Sequence, residues 1–551
     1  MTADPGADRA VTVAEAVGRA LAGLGADHVF GVVGSGNFLL TNAMIAGGAR
    51  YVAARHEGGA ATMADAYART SGRLGVLTVH QGCGLTNAMT GITEAAKSRT
   101  PMLVLAAEAT TPRSNFYVDQ AALACSVGAV AQRVSSASSA IDDVVRAVRR
   151  ATGERRTVVL NLPLGVQAQP AGLRPAELPP ASGPGGPPPP DPQAVRALAS
   201  AISGARRPVF IAGRGARHAR AELERLAGRC GALLATSAAA NGLFTGNPWS
   251  IGISGGFASP LAADLISEAD LVIGWGCTLN MWTTRHGTLI GKAATVAQVD
   301  LDAGALGVHQ PIDLGVTGDV AAVAAAVTVN ESPGYRSPEL AARIAASVRW
   351  RDVPYQDDSG EQRIDPRTLS IRLDDLLPRE RVIGVDSGNF MGYPSAYLSV
   401  PDERGFCFTQ AFQSVGLGLA TAIGAALAAP SRLPVAALGD GGALMGICEL
   451  ETVCRLRLPM VIVVYNDSGY GAEFHHFGPG GHPLDTVRFP DTDFAAIGRG
   501  FGCTALTVRR PGQLTELTNW LNGPRDTPLL IDAKVTAGRG AWWLEEAFRG
   551  H

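Results

Sequence analysis

The sequence predicts an α/β protein built from three doubly wound parallel-sheet domains, and three observations predict it. The first is size: 551 residues, 46% of them hydrophobic and 17% charged, give room for three domains of about 100–200 residues each. The second is pattern. Short β-branched runs alternate with Ala-rich helical segments along the chain, and continuous apolar strands between helices imply parallel sheets covered on both faces. The third is punctuation. Pro170–Gln193 holds ten of the 34 prolines. Proline lacks a backbone donor and fixes φ, so this stretch is expected to be an extended linker, neither helix nor inner strand. A softer break covers Val329–Asp365, with ESPGYRSPE and a charged, aromatic run from Trp350 to Gln362. The expected division is an N-terminal domain over 1–169, a linker over 170–193, a central domain over 194–330, a second linker over 331–364 and a C-terminal domain over 365–551.

Each strand is expected where an apolar run is bounded by turn residues. In the first piece these are His28–Val33, Arg50–Ala54, Leu74–Val79, Met102–Ala106 and Thr157–Leu162. In the second they are Pro208–Ala212, Leu271–Gly274 and Thr295–Val299. In the third they are Val382–Val385, Val435–Leu438, Met460–Tyr465 and Leu529–Ala533. Helices such as Glu57–Thr70 lie between them. In sheets of this kind ligands bind beyond the carboxyl ends of the strands.

Composition narrows the partners. A net charge of −2, with basic residues that are nearly all Arg and only Lys97, Lys292 and Lys534 as lysines, gives no electrostatic argument for nucleic acid or an acidic membrane. The eight cysteines are scattered, with no C-x-x-C and no zinc spacing, so a metal cluster is not expected and a reducing compartment is. Met1–Ala10 is polar and acidic, without the basic and apolar regions of a secretory leader. No uncharged apolar run of about 20 residues stands out. A soluble cytoplasmic enzyme without a membrane span is the expectation.

The sharpest chemical signal follows the strand Val435–Leu438. It reads Gly439-Asp440-Gly441-Gly442, then a helix and a second strand, then Asn466-Asp467-Ser468-Gly469. Glycines let backbone N–H groups approach a phosphate at a helix N-terminus. Asp440, Asp467 and the Gly469 carbonyl form an oxygen set for a hard divalent cation that shares its ligands with phosphate.

Four ordered motifs together resemble the thiamine diphosphate enzymes, in particular the acetolactate synthases and their relatives among pyruvate and benzoylformate decarboxylases. Besides the GDG motif they are Gly31-Val32-Val33-Gly34-Ser35-Gly36 with Arg55-His56-Glu57-Gly58-Gly59-Ala60-Ala61, then Gly82-Cys83-Gly84-Leu85-Thr86-Asn87, and the loop from Thr409 to Ala425. The resemblance spans nearly the whole chain. It implies thiamine diphosphate and Mg²⁺ as cofactors, an N-terminal pyrimidine-binding domain and a C-terminal diphosphate-binding domain. It also implies a homodimer or homotetramer with active sites between chains. One departure is plain: the family usually has Asn at the position of Asp467, and a carboxylate there adds negative charge beside a diphosphate. Asn466 takes that place only if the strand slips by one residue, which turns its side chain away.

The resemblance also assigns roles. Glu57 matches the carboxylate that hydrogen-bonds the aminopyrimidine N1′, and an apolar setting raises its pKa. Val415 matches the wedge that bends the cofactor, and the Gln413 carbonyl accepts from the cofactor's amino group. Gly388 and Asn389 match the segment that closes over the diphosphate. On the substrate side, His80 is similar to the catalytic His of benzoylformate decarboxylases, and histidine exchanges protons near neutral pH. Glu473 falls where pyruvate decarboxylases carry a catalytic Glu. His476 falls where acetolactate synthases place a Trp, and Gln120 matches a Gln that binds substrate. The expected function is decarboxylation of a 2-keto acid with ligation of the acyl group to a second carbonyl compound. A non-ligating decarboxylase, a C–C lyase and a non-catalytic regulator of the same fold remain alternatives. The central piece carries Gly213-Arg214-Gly215 and Asp300-Leu301-Asp302. Some relatives bind FAD there, but the Cys277–Gly287 segment departs from their Arg-rich pattern, so FAD is possible and not favoured. A dinucleotide-dependent dehydrogenase is a further rival, weakened because Gly34-Ser35-Gly36-Asn37-Phe38-Leu39 lacks a third glycine.

Overall fold

A computed structural model describes residues 10–171, 189–544, 548 and 549. Three six-stranded sheets carry the fold, and every strand pair in them is parallel. The first contains β1 (His28–Gly31), β2 (Arg50–Ala53), β3 (Gly75–Val79), β4 (Met102–Glu108), β5 (Val130–Arg133) and β6 (Thr157–Pro163), in spatial order 2-1-3-4-6-5. The second contains β7 (Pro208–Ala212), β8 (Leu233–Thr236), β9 (Ser250–Ile253), β10 (Leu271–Trp275), β11 (Thr295–Asp300) and β12 (Leu314–Thr317), ordered 12-11-10-7-8-9. The third contains β13 (Arg381–Val385), β14 (Phe406–Phe408), β15 (Leu433–Gly439), β16 (Val461–Asn466), β17 (Thr504–Val508) and β18 (Leu529–Lys534), ordered 14-13-15-16-18-17.

Both faces of the sheets are buried, which is why their strands read as continuous apolar runs. In the second sheet Phe210 and Ala212 join one apolar cluster, while their neighbours Val209 and Ile211 join another on the opposite face. The strands unforeseen from the sequence are β5, β8, β9, β12, β14 and β17. All but β8 are sheet edges.

The chain forms two compact units. One comprises the described residues of Met1–Gly185 with Thr409–Pro430 and Gly442–Met460; the other comprises those of Gly186–Phe408, Ser431–Gly441 and Val461–His551. Two stretches of the 365–551 segment thus group with the first unit. Small residues explain the transfer. The helix Gly418–Ala428 lies so close to the helix Glu57–Ser71 that a Cβ on Gly424 would overlap the Met63 carbonyl and stand 2.9 Å from the Ala66 Cβ.

Helices enter both expected linkers. Most of 170–193 lies outside the described residues, but its end is helical. Asp191 caps the helix Pro192–Gly204, accepting from the N–H groups of Gln193 and Ala194, and Pro192 occupies the first turn, where no N–H is required. The 331–364 segment contains the helix Pro338–Ser347, whose Leu340 and Ile344 pack into the second sheet's core. All eight cysteines are free. Among the described residues no helix is long and apolar enough to cross a membrane.

Candidate active site

In the first unit, Glu57 opens the helix Glu57–Ser71, with His56 as N-cap accepting from Gly58 N–H. Its Oε2 accepts from Asn87 Nδ2 at 3.0 Å. Glu57 is half-buried, against the expected burial. Two glycines make the carboxylate's surroundings. A Cβ on Gly84 would lie 3.5 Å from Glu57 Oε1, and one on Gly59 would overlap the carboxylate of Glu449. Glu449 is buried and accepts from the N–H groups of Arg55 and His56, both at 3.1 Å. It thus satisfies donors at the N-terminal end of the helix that carries Glu57. Burial pushes the Glu449 carboxyl up, partly offset by Thr452 and these N–H groups.

His80 follows β3. Its Nδ1 accepts from Gly36 N–H at 3.2 Å, which leaves the neutral ring's proton on Nε2. Burial holds its pKa below the ordinary histidine range, against the pull of Glu57. The edge of Phe116 meets its ring, with centroids 5.1 Å apart. A Cβ on Gly34 would sit 2.7 Å from this ring, and one on Gly36 would overlap Gln81 Oε1. The Gly-Ser-Gly run therefore makes room for His80 and Gln81, which removes the basis for a dinucleotide fingerprint.

Gln120 opens the helix Gln120–Ser126. It is 1% exposed. Its Oε1 accepts from Gly82 N–H at 3.0 Å and its Nε2 donates to Asn161 Oδ1 at 2.8 Å. Both ends of the amide are engaged, so it braces the loop ahead of Cys83 rather than presenting an open group.

The loop carrying Gln413 and Val415 hangs from a network that sequence reasoning missed. Glu94 Oε1 and Oε2 accept from the N–H groups of Ala411 and Phe412, at 2.9 and 2.6 Å. Arg69 bridges Glu94 and Asp65, with contacts of 2.7 Å to each. Burial pushes both acids up. At Glu94, Arg69 and the two N–H groups outweigh it and hold the pKa low; at Asp65 burial prevails. Gln413 adopts φ 62° and Val415 is 37% exposed.

In the second unit, β13, β15 and β16 are neighbours, so Gly388-Asn389, Gly439-Asp440-Gly441 and Asp467 leave adjacent strands at the same sheet end. Gly388 has φ 138°, a conformation suited to glycine. Asp440 starts the helix Asp440–Met445, which contains Gly442. Asp440 Oδ2 accepts from Gly469 N–H at 3.1 Å, and its side chain lies beside Asp467. Burial first, then Asp440, push Asp467 up to about 7. Asp440 is likewise raised by burial, opposed by N–H groups that include those of Gly441 and Gly469. Gly471 is required at its position: a Cβ would lie 2.6 Å from Asp467 Oδ2 and 2.9 Å from Asn389 Nδ2. Among the described residues no cluster of three His, Cys, Asp or Glu forms a metal site. The donor set is instead two converging carboxylates beside a glycine backbone. Two carboxylates, Asp440 buried and Asp467 half-buried, resist sharing a site without a cation, so the residues fit Mg²⁺.

Asn466 faces the core. Its Nδ2 donates to Thr492 O and Asp532 Oδ1 at 3.1 and 3.0 Å, which fixes the register that turns Asp467 outward. Arg363, also unforeseen, donates to the Asn466 and Val535 carbonyls and to Ser468 Oγ, at 3.1, 2.9 and 3.1 Å. It holds a loop in which Ser468 has φ 63°.

Glu473 lies on the helix Gly471–Phe477, half-buried. The adjacent His475 and His476 face different ways. His476 is exposed and stacks on Phe548 with centroids 3.9 Å apart. His475 points inward, with Nε2 buried and without a hydrogen-bond partner, and burial lowers its pKa.

In the second sheet, Gly213 and Gly215 press against Gly276, and a Cβ on Gly215 would stand 2.9 Å from Gly276 Cα. Arg285 donates to the Gly255 and Ala258 carbonyls. Close backbone packing accounts for the GRG run.

Three covered parallel sheets with a glycine-lined strand end and a pair of adjacent carboxylates are the frame of a cofactor-dependent α/β enzyme. Three descriptions of the thiamine pyrophosphate enzymes match the chain: the N-terminal TPP-binding domain over residues 11–127, the central domain over 195–327 and the C-terminal TPP-binding domain over 386–533. The chain is 30% identical to a sulfoacetaldehyde acetyltransferase of Rhodobacter capsulatus, covering 92% of this chain and 91% of that protein. It is 31% identical, with the same coverage, to a probable 2-ketoarginine decarboxylase of Pseudomonas aeruginosa. It is 28% identical to an acetolactate synthase large subunit of Parasynechococcus marenigrum, over 98% and 90%. The chain belongs to the thiamine pyrophosphate enzyme family. Its cofactors are thiamine diphosphate and the Mg²⁺ that accompanies it, and its chemistry is of the decarboxylase and carboligase type.

Proposed function

We propose that the enzyme decarboxylates a 2-keto acid and passes the acyl group to a second carbonyl compound. When bound, thiamine diphosphate would supply a nucleophilic carbon and an electron sink for the decarboxylation. Asp440, Asp467 and the Gly469 carbonyl hold Mg²⁺. The N–H groups of Gly439, Gly441 and Gly442, with Gly388 and Asn389, receive the diphosphate. Glu57 keeps a carboxyl on the pyrimidine N1′, Gln413 offers its carbonyl to the amino group and Val415 is the wedge. His80 presents an Nε2–H, and Glu473 is a second proton-exchanging group. His475, the inward-facing histidine, replaces His476 as the candidate for acceptor choice. Gln120 acts through Gly82 as a positioning residue. The active enzyme is a homodimer or homotetramer in which each site draws on two chains.

The observation that carries the reading is Glu57, held by Asn87 at the head of its helix and partnered by no cation among the described residues. A second reading, release of an aldehyde without ligation, is favoured by the proton on His80 Nε2. Incubation with pyruvate and larger 2-keto acids, followed by mass spectrometry, separates the two. A product joining two carbonyl compounds is expected; aldehyde alone contradicts ligation, and no CO₂ from any 2-keto acid contradicts both.

A further inference from the structure

A cavity of about 210 Å³ opens in the second unit, walled by the linker after Trp350, the helix Gly392–Tyr397 and the chain from Thr536 to Trp542. None of its lining residues belongs to the site described above. Trp350 and Trp542 pack together in its wall, with centroids 4.1 Å apart. The indole N–H groups are directed elsewhere, to the Phe257 and Gly256 carbonyls.

The polar groups of the cavity are unevenly satisfied. Arg367 lies over the Tyr355 ring at 4.5 Å and its Nε donates to Asp365 at 2.9 Å. Arg539 pairs with Asp358 at 3.0 Å. Two carboxylates and two guanidiniums thus neutralise one another on the wall. Tyr393 and Tyr397 differ. They are 6% and 5% exposed, both line the cavity, and neither hydroxyl has a hydrogen-bond partner among the described residues. Both hydroxyl oxygens stay accessible from the cavity, free to meet a ligand. Burial pushes both phenols well above their ordinary range, so both remain O–H donors.

We propose that this cavity is a second ligand site, for a single-ring aromatic carboxylate. The volume sets the size, because an apolar cavity of about 150 Å³ holds benzene. The rings of Trp350, Tyr355 and Trp542 provide stacking and edge contacts. Two unpaired O–H donors with already-paired acids select an acceptor and disfavour an ammonium group. A carboxylate offers two oxygens for two phenols, and its charge lies beside Arg367.

The test uses holoenzyme loaded with thiamine diphosphate and Mg²⁺, with benzoate as the probe and tryptophan fluorescence as the signal. Saturable quenching by benzoate is expected, with benzylamine at least tenfold weaker. A Y393F/Y397F variant, which loses only the unpaired hydroxyls, is expected to keep its Tm and to bind benzoate at least tenfold more weakly. Absence of saturation in the parent enzyme, equal binding of benzylamine or undiminished binding by the variant would each overturn the site. If the variant unfolds, Y393F alone serves, with a threefold or greater weakening as the expected result and no weakening as the contrary one.

Discussion

At the residue scale, His80 links packing to chemistry. Its Nδ1 accepts the Gly36 N–H, which a protonated ring cannot do. Burial lowers its pKa, so at neutral pH it is uncharged and its proton is on Nε2. As pH falls through the depressed pKa the ring gains a proton and must release Gly36. An acid-side loss of kcat/KM is therefore expected below the ordinary histidine range, and His80→Asn is expected to remove that limb. An acid limb that His80→Asn leaves unchanged would refute the assignment. Other residues show the limits of spacing. Offset from Asp467 nominates His476, yet the helix Gly471–Phe477 turns His475 inward and leaves His476 on Phe548. Gln120 has the right offset too, but its amide is spent on Gly82 and Asn161. Sequence distance identifies a helix position; which face meets the core depends on partners such as Phe548, far along the chain. That Asp440 and Asp467 leave neighbouring strand ends was legible, because strand ends are fixed by register.

At the element scale, two glycines in helices make opposite predictions. Gly424 abuts the helix Glu57–Ser71, where an added Cβ overlaps backbone. Gly424→Ala is expected to cost about 1–3 kcal/mol by forcing the helices apart. Gly228, in the helix Arg220–Cys230, has open space around its Cβ position. Gly228→Ala is expected to stabilise by about 0.5–1 kcal/mol through lower chain entropy and better helix propensity. Urea denaturation of both variants checks the sign of each; equal shifts would mean that propensity, not packing, governs both. The same scale explains which elements were readable. Central strands such as β4 and β16 are buried on both faces and read as apolar runs. Edge strands such as β5 (VAQR) and β17 (TALTV) are only partly covered and mix polar residues into the run. The helix Pro338–Ser347 was hidden by its proline-rich approach, although Pro338 is a first-turn residue capped by Ser337.

At the scale of the whole molecule, the proposed chemistry is divided. Glu57, His80, Gln413 and Val415 lie in one compact unit and Asp440, Asp467, Asn389 and Glu473 in the other. The three-domain count was legible from alternation and length. The passage of Thr409–Pro430 and Gly442–Met460 into the first unit was not, because it depends on small-residue contacts between helices far apart in sequence. If a two-fold dimer brings the unit bearing Glu57 of one chain to the unit bearing Asp440 of its partner, two inactive variants complement each other. Glu57→Gln and Asp440→Ala, mixed equally and allowed to exchange subunits, are expected to recover about a quarter of wild-type activity, since half the dimers are mixed and each holds one intact site. No recovery after proven exchange would place each site within one chain.

The central claim is that Glu57 drives thiamine diphosphate chemistry on a 2-keto acid. The most direct measurement is CO₂ release from a panel of 2-keto acids by wild type and Glu57→Gln, each with and without thiamine diphosphate and Mg²⁺. The account predicts release that needs both cofactors and falls by about 10²–10⁴-fold in the variant, while the variant still binds thiamine diphosphate. Release at the wild-type rate by Glu57→Gln, or undiminished release without the cofactor, would contradict it.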